Sequence, residues 1–465
     1  MSTASPTGLP ASPGLPADRP LRVVYLTSGA AGMYCGSCIH DNTLVRGLRA
    51  AGVDVQLVPT YTPIRTDEPD ASIPRVFLGG LNVYFAEKIP GFARLPRFLT
   101  SWLDRPGLIR LATSFGIQTD AADLGALTVS LLRGEHGHQK RDIDALSAWL
   151  ATQAPPDVVH FTNLLIGGCI PSIKERLGCR IVVTLQGDDI FLDSLPEPHR
   201  GRAISEMKRL APLVDRFVVN SAYYAEEMGR RLEIPMERFE ITPLTIDTAD
   251  FAAIDLESRH RHVSISPQRT IGYFARLAPE KGLHVLVDAF CHLKAMPGTD
   301  HIRLKIAGWL GAHRRDYAEE QFQRMRDAGL SDAFEYAGEP NRADKVAFLE
   351  SIDLLCVPTT YRDPKGLFAL ESLAAGTPVV LPAHGSFPEM LARLGGGRLV
   401  PPEDPAHLAK VLRELLADDS QRCELSRAGR IAVLERAGLP VLTEATLATY
   451  ASVLSAASCV ESHRS

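Results

Sequence analysis

Short apolar runs alternate with amphipathic helical segments along most of this chain, in two successive blocks. Most of the runs are almost continuously apolar, which is typical of strands buried on both faces of a parallel sheet with helices packed on either side. In the first block they lie at 21–27, 53–58, 158–160, 181–185 and 216–220, and in the second near 270–275, 302–307, 353–357, 378–381 and 398–400. The pattern predicts an α/β protein with two Rossmann-like, doubly wound parallel-sheet domains.

The length of 465 residues supports two domains, because a single ordinary core does not grow to this size. We expect a disordered tail at 1–20, an N-terminal domain at 21–248 and a C-terminal domain at 270–441. A polar segment rich in His and Arg, 249–269, is the expected linker, and 442–465 forms a last helix and tail. The active site is expected in a central cleft that the two domains face, at the carboxyl ends of the strands.

Composition narrows the class of protein. A hydrophobic fraction of 45% and a formal charge of −5 are typical of a globular enzyme and not of a nucleic-acid binder. No apolar run approaches the roughly 20 residues that span a bilayer. The first 20 residues lack an apolar core, so we expect no signal peptide. The eight scattered cysteines are then expected to be reduced thiols in a cytoplasm.

The segment from Asp363 to Glu371, DPKGLFALE, places two carboxylates around the start of a predicted helix. Asp363 suits the N-cap, and the proline after it suits the first helical position. The backbone N–H groups of Lys365, Gly366 and Leu367 would then be free at the positive helix end, an arrangement that suits a phosphate. Eight helical residues rise about 12 Å, so the two acids would contact different ends of an extended ligand.

This segment resembles the E-x7-E region of the retaining nucleotide-sugar glycosyltransferases of family 4 (group 1), which have the two-domain GT-B fold. The resemblance implies that Glu371 binds the ribose of the donor and that Asp363 orients the donor sugar. Asp363 stands where the family usually has Glu, and Lys365 stands where it usually has Phe. The alternative is a capped helix that contains an incidental acid.

Two cations lie in the loop between a predicted strand at 270–275 and an amphipathic helix from Leu283. Arg276 can fork onto two phosphate oxygens, and Lys281 adds a mobile point charge, so together they suit a diphosphate. The loop also resembles the family's GR-x-x-x-x-KG element. That resemblance implies that Arg276 and Lys281 hold the donor diphosphate, and we expect them to do so without a metal.

The loop at 28–42 follows the first predicted strand and is rich in small residues. By resemblance its glycines, Gly32 among them, face the donor phosphate. It lacks the G-x-G-x-x-G pattern, so a nicotinamide cofactor is not favoured. Cys35 and Cys38 would suit a redox pair or half of a zinc site, but the sequence offers no second half for a zinc site. The favoured interpretation is that they are small residues that line a tight loop.

Three other segments match the family imperfectly. His160 matches the first histidine of the family's H-x-H, but Thr162 replaces the second. Gln186 replaces the histidine of T-L-H-G-x-D, whose acid is Asp189, and the segment 243–247 lacks the Asn-Gly of P-N-G-V-D. The resemblance implies that these four residues lie near the acceptor or the donor sugar. For His160 the alternative is a packed, hydrogen-bonded core histidine.

The D-x-D sequence at Asp142 and Asp144 has the form that some glycosyltransferases use to hold a metal. Here it precedes an apolar helix expected from about Ala145. We therefore interpret it as an N-cap.

Residues 88–113 carry five basic side chains against one acid, interleaved with Phe, Leu and Trp. Such a basic amphipathic stretch suits the surface of an anionic membrane. A surface helix that cradles the acceptor is the alternative.

The sequence thus predicts a cytoplasmic retaining glycosyltransferase, with residues 88–113 a candidate contact with the inner membrane face. It would move a sugar from a UDP- or GDP-linked donor to a hydroxyl of a glycan, lipid-linked or small-molecule acceptor, in cell-envelope glycan, glycolipid or polysaccharide synthesis. Fixed positive charge would stabilise the departing diphosphate, with no metal, other cofactor or nucleic acid involved. Two alternatives are a catalytically weakened relative that binds nucleotide or glycan as a scaffold, and a nucleotide-sugar epimerase on the same fold. GT-B relatives also suggest that the last helix, about 442–457, packs back on the N-terminal domain.

Overall fold

The computed structural model describes most of the chain, namely residues 15–16, 18–29, 36–77, 121–258 and 268–461. The described residues form two compact units, and each unit contains one six-stranded sheet in which every pairing is parallel. The first unit takes in the chain up to Asn220, then Tyr224–Pro243 and Leu442 onward. The second takes in Ser221–Tyr223 and Leu244–Val441. The predicted pair of doubly wound parallel-sheet domains is confirmed.

In the first unit the strand order is β2-β1-β3-β4-β5-β6. The strands are β1 (Arg22–Thr27), β2 (Asp54–Pro59), β3 (Val158–Phe161), β4 (Arg180–Thr184), β5 (Arg216–Val219) and β6 (Phe239–Ile241). The helices are α1 (Gly36–Ala50), α2 (Ala121–Arg133), α3 (Lys140–Thr152), α4 (Ile170–Leu177), α5 (Asp188–Ser194), α6 (His199–Leu210) and α7 (Ala222–Leu232). One face of the sheet packs on α1 through Tyr25, Leu44 and Val158, and Leu442 and Tyr450 of the last helix belong to the same core.

In the second unit the strand order is β12-β11-β10-β7-β8-β9. The strands are β7 (Arg269–Phe274), β8 (Ile302–Ala307), β9 (Phe334–Tyr336), β10 (Leu354–Cys356), β11 (Val379–Pro382) and β12 (Gly397–Val400). The helices are α8 (Leu283–Lys294), α9 (Arg315–Asp327), α10 (Arg342–Glu350), α11 (Leu367–Ala374), α12 (Phe387–Leu394), α13 (Pro405–Ala417) and α14 (Asp419–Arg436), and α15 (Leu439–Glu461) follows. Leu283, Leu286 and Phe290 of α8 are fully buried, as their helical spacing indicates.

The strand order reverses once in each sheet, between β1 and β3 in the first unit and between β7 and β10 in the second. At such a switch point the loops at the carboxyl ends of two neighbouring strands run to opposite sides and leave a crevice for ligands. The loops after β7 and β10 carry Arg276, Lys281 and Asp363. Side chains at the ends of β1, β3 and β4 meet at the switch point of the first unit.

The predicted N-cap at Asp144 is wrong. Asp144 is not an N-cap, since α3 begins at Lys140 and Asp144 instead pairs with Lys140 and with Arg176.

The described part of the expected linker, 249–258, packs with the second unit, where Phe251 is buried in the core. In the described part of the chain no helix is both long and apolar enough to cross a membrane.

Candidate functional site

Lys281, in the loop between β7 and α8, places a fixed positive charge in the second unit. Its Nζ donates to Asp363 Oδ2 at 2.8 Å and to the Tyr361 hydroxyl at 2.6 Å. The Lys281 and Asp363 side chains are only 12% and 4% exposed. The Tyr361 and Phe368 rings lie 4.8 and 5.6 Å from Nζ, close enough for cation–π attraction. An ammonium group has three N–H donors, so the fixed Lys281 keeps one for a ligand.

The loop from Asp363 to the start of α11 differs from the prediction. Asp363 is not the N-cap, since Asp363 Oδ1 accepts from the Lys365 N–H at 3.0 Å and α11 begins only at Leu367. The Lys365 amide is therefore occupied and not free. Gly366 precedes the helix with φ +79°, and a Cβ there would lie 2.6 Å from the Phe387 ring, so only glycine fits.

Two amides at the start of α11 remain available. Among the described residues, no partner is present for the N–H groups of Gly366 and Leu367. The helix dipole places partial positive charge at this end. The stretch from Asp363 to Glu371 is only partly helical, so the predicted 12 Å helical rise between the acids does not apply.

Asp363 remains ionised despite its burial. Burial alone would raise its pKa, but the charge and hydrogen bond of Lys281, with hydrogen bonds from Lys365 and Tyr361, hold the pKa below the usual 3.8. Ser386 fixes the backbone here, because its N–H and its hydroxyl both donate to the Asp363 carbonyl. Both carboxylate oxygens thus have partners, and in this arrangement Asp363 holds Lys281.

Arg276, at the end of β7, contrasts with Lys281. Its side chain is 39% exposed and its guanidinium contacts Glu280 at 3.4 Å. This long ion pair occupies little of a group with five N–H donors. Arg276 can therefore turn toward an anion near Lys281 without breaking a buried contact.

Glu371, on α11, is held by a residue that the sequence did not single out. Its Oε1 accepts from Lys345 Nζ of α10 at 2.6 Å, and the two side chains are 13% and 9% exposed. For Glu371 Oε2 the described residues supply no hydrogen bond. The carboxylate is anchored on one side and open on the other.

Asp41 of α1 forms the centre of a buried network in the first unit. It is fully buried, and its Oδ1 accepts from the Tyr25 hydroxyl at 2.9 Å and from Gln186 Nε2 at 3.1 Å. Its Oδ2 accepts from the Thr27 hydroxyl at 2.8 Å and from the Thr162 hydroxyl at 2.6 Å. Thr162 and Gln186, which replace two histidines of the family pattern, therefore donate to the same carboxylate.

The charge on Asp41 is stabilised by its surroundings. Burial alone would raise its pKa, but the adjacent His40 ring and the hydroxyls of Thr162 and Thr27 outweigh burial and lower it. A buried carboxylate that accepts several hydrogen bonds stays ionised in this way.

His160, on β3, has both ring nitrogens engaged. Nδ1 lies 2.7 Å from the Tyr450 hydroxyl of α15, and Nε2 lies 2.7 Å from the Thr184 hydroxyl. The residue is 1% exposed, and burial, which outweighs the opposing charge of Asp41, lowers its pKa to about 3. The ring is therefore neutral and joins α15 to the sheet, as the packed-histidine alternative describes.

Asp189 is also drawn into packing contacts. It accepts from the Tyr224 hydroxyl at 2.6 Å and is 8% exposed. Its neighbour Asp188 accepts from the Leu164 N–H at 3.0 Å, and burial raises the pKa of Asp188 to about 7. These contacts hold the start of α5 against α7 and the segment after β3.

Two family models match the chain, one in each half. The model described as "Glycosyl transferase 4-like domain" matches residues 42–245, and "Glycosyl transferases group 1" matches 255–432. The chain belongs to the group 1, family 4 glycosyltransferases of the GT-B fold.

Curated relatives of this glycosyltransferase are distant. A D-inositol 3-phosphate glycosyltransferase of Acidothermus cellulolyticus is 28% identical over 81% of this chain and 86% of its own. One of Salinispora arenicola is 27% identical over 59% of this chain, and the match covers 64% of the relative, just under two thirds. A phosphatidyl-myo-inositol mannosyltransferase of Mycobacterium leprae is 34% identical over 39% of this chain and 46% of its own.

Solved structures support the fold. HepE of Anabaena in complex with UDP matches with a TM-score of 0.64, at 14% identity, over 93% of this chain and 100% of that one. Sucrose-phosphate synthase of Thermosynechococcus elongatus matches with a TM-score of 0.66, at 18% identity, over 94% of this chain and 100% of that one. At these identities the likeness concerns the fold alone.

The candidate residues of the glycosyltransferase fall into separate groups. In the second unit the structure brings Lys281 and Asp363 into contact, whereas Glu371 pairs elsewhere, with Lys345. In the first unit Thr162 and Gln186 share Asp41, and His160 lies beside Tyr25 of that network. Gly32, Cys35 and the basic stretch 88–113 lie outside the described residues. Cys38 is buried.

The neutral His160 gives the glycosyltransferase a testable pH dependence. An unfolded histidine gains a proton below its usual pKa of 6.5, whereas buried His160 does so only near 3. Its contribution to stability is therefore present above pH 6.5 and is lost as the pH falls toward 3. Between pH 6.5 and about 5 the loss is about 2 kcal/mol of unfolding free energy. Denaturant unfolding should show that His160→Gln is less stable than wild type at pH 7 but loses less stability on acidification.

The matched control is His407→Gln, since His407 is exposed on α13. Its replacement should leave the pH dependence of the unfolding free energy as it is in wild type. If His160→Gln loses as much stability between pH 7 and pH 5 as wild type does, the assignment of His160 as buried and neutral is wrong.

Proposed function

We propose that this glycosyltransferase moves a sugar from a nucleoside diphosphate donor to an acceptor hydroxyl with retention at the anomeric carbon. The observation that carries the proposal is the fixed ammonium of Lys281 at the switch point of the second sheet, with one N–H to spare. Lys281 and Arg276 are the cations to which we assign the diphosphate.

The chemical need in this reaction is stabilisation of the departing diphosphate while positive charge develops on the sugar. Donors that are already oriented are effective because they need not reorganise during the reaction. Asp363 and Tyr361 orient Lys281, and they count as positioning residues in this proposal. Arg276 would add a second cation from its exposed position, and the Gly366 and Leu367 amides would complete the anion site.

Glu371 would bind the ribose of the donor. Its open oxygen can accept a hydrogen bond from a sugar hydroxyl, and charge-assisted bonds of this kind are stronger than neutral ones. HepE of Anabaena has been crystallised with UDP and with UDP-glucose, which supports testing uridine-linked donors first.

The acceptor is proposed to be a hydroxyl of a polyol, glycan or lipid-linked headgroup. The relatives named above act on D-inositol 3-phosphate or phosphatidyl-myo-inositol, which makes these two compounds the first acceptors to test. Thr162 and Gln186 donate to Asp41, and both ring nitrogens of His160 are engaged by Tyr450 and Thr184. We therefore assign these residues to shaping the first unit and not to proton transfer.

The experiment is a transfer assay with UDP-, GDP- and ADP-linked hexoses against those two acceptors. We expect release of nucleoside diphosphate that depends on acceptor, and a product whose anomeric configuration by NMR equals that of the donor. Inversion of configuration would refute the retaining mechanism. A new sugar isomer formed from the donor alone would favour the epimerase alternative, and donor binding without turnover would favour the scaffold.

A further inference from the structure

Lys345 occupies a place that disfavours a cation. It lies near the N-terminus of α10, which Asn341 caps by accepting from the Asp344 N–H. The positive end of the helix dipole repels an ammonium there. The Lys345 side chain is also only 9% exposed, and burial of a charge is costly unless the charge is paired.

Glu371 compensates for this placement from a different helix. The Lys345 Nζ donates to Glu371 Oε1 at 2.6 Å, which joins α10 to α11. A purely structural ion pair is best stabilised when the remaining oxygen of the acid is also satisfied. In the part of the chain that the structure describes, Glu371 Oε2 has no hydrogen-bond donor, although the side chain is only 13% exposed.

We infer that Lys345 is a positioning residue for recognition of the donor ribose. It holds Glu371 by one oxygen and thereby presents the other oxygen to the vicinal hydroxyls of a nucleoside. The inference rests on the proposed function, since it needs a nucleotide in the second unit. It adds a residue and a specificity, because a carboxylate fixed in this way discriminates a ribonucleotide from its 2′-deoxy counterpart.

The positive charge of Lys345 has a second consequence. A free glutamate would repel the nearby diphosphate of the ligand, whereas a carboxylate paired with a lysine carries little net charge. Lys345 thus allows an acid to serve as hydroxyl acceptor beside an anionic ligand.

The test is calorimetric titration of the full-length chain with UDP, GDP and ADP and the 2′-deoxy form of the one that binds. We expect wild type to prefer the ribonucleotide by about tenfold to a hundredfold, as for one hydrogen bond to a charged group. Lys345→Met, which keeps the length but removes the charge, should bring the ratio close to one. Lys345→Arg keeps a charged donor and should retain most of the preference.

The outcomes separate the two claims. If wild type binds no nucleoside diphosphate, the proposed function fails and this inference fails with it. If wild type binds and discriminates but Lys345→Met keeps the same ratio, only this inference is overturned. Where Lys345→Met does not fold, the neutral pair Lys345→Met with Glu371→Gln replaces it, and a ribose preference retained by that pair overturns the inference.

Discussion

Replacement of Lys281 by methionine should reduce sugar transfer by about 10²–10³-fold, the usual effect of removing one oriented donor to developing negative charge. The same change should destabilise the second unit by about 3–5 kcal/mol, because it leaves the buried Asp363 carboxylate without its cation. Turnover numbers and melting temperatures should both be measured. A loss of activity in this variant alone would not separate chemistry from folding.

The pair Lys281→Met with Asp363→Asn separates the two effects. It removes both charges together, so most of the lost stability should return while turnover stays low. Lys410→Met is the matched control, because Lys410 is exposed on α13 and its loss should change neither quantity. Near-normal turnover in the neutral pair would contradict the role of Lys281.

Replacement of Arg276 by glutamine should reduce transfer by about tenfold to a hundredfold through a weaker hold on the diphosphate. In contrast to Lys281, it should leave the melting temperature nearly unchanged, because the side chain is 39% exposed and its ion pair with Glu280 is a surface contact. The transfer rate of Arg276→Lys should fall between those of wild type and Arg276→Gln, since an ammonium cannot fork onto two oxygens.

Ionic strength provides an independent check on Arg276. Because the guanidinium is exposed, added salt should weaken its attraction for the donor and narrow the gap between wild type and Arg276→Gln. If the variant had wild-type values of kcat/KM at low salt, Arg276 would have no part in donor binding.

The fold could be predicted because its signal is local. Continuous apolar strands such as 378–381 and the helical spacing of Leu283, Leu286 and Phe290 are visible within a few residues, and the structure confirms both. The order of Arg276 and Lys281 in one loop is equally local. The two switch points could be expected once two parallel sheets were expected.

The start of α11 was predicted wrongly because distant packing decides it. Asp and Pro before an apolar run favour a capped helix, but the Phe387 ring packs against Gly366, and Asp363 turns to Lys365 and Lys281. The preference of an aspartate for the N-cap has less influence on the backbone here than the buried ion pair of Asp363 with Lys281 and the left-handed conformation of Gly366.

The residues that sequence reasoning missed have partners far along the chain. Tyr361 lies 80 residues from Lys281, Lys345 lies 26 residues from Glu371, and Asp41 lies 121 residues from Thr162. A single sequence carries no signal for such pairs. Thr162 and Gln186 therefore looked like two separate departures from the family pattern, whereas the structure shows them bonded to one carboxylate.

The most direct test of donor binding at Lys281 is calorimetric titration of UDP, GDP and ADP into wild type and into the neutral pair Lys281→Met with Asp363→Asn. We predict that one of the three nucleotides binds wild type at one site per chain and binds the neutral pair at least about tenfold more weakly. Equal affinity for both proteins, or no binding of any nucleotide to wild type, would contradict donor binding at Lys281.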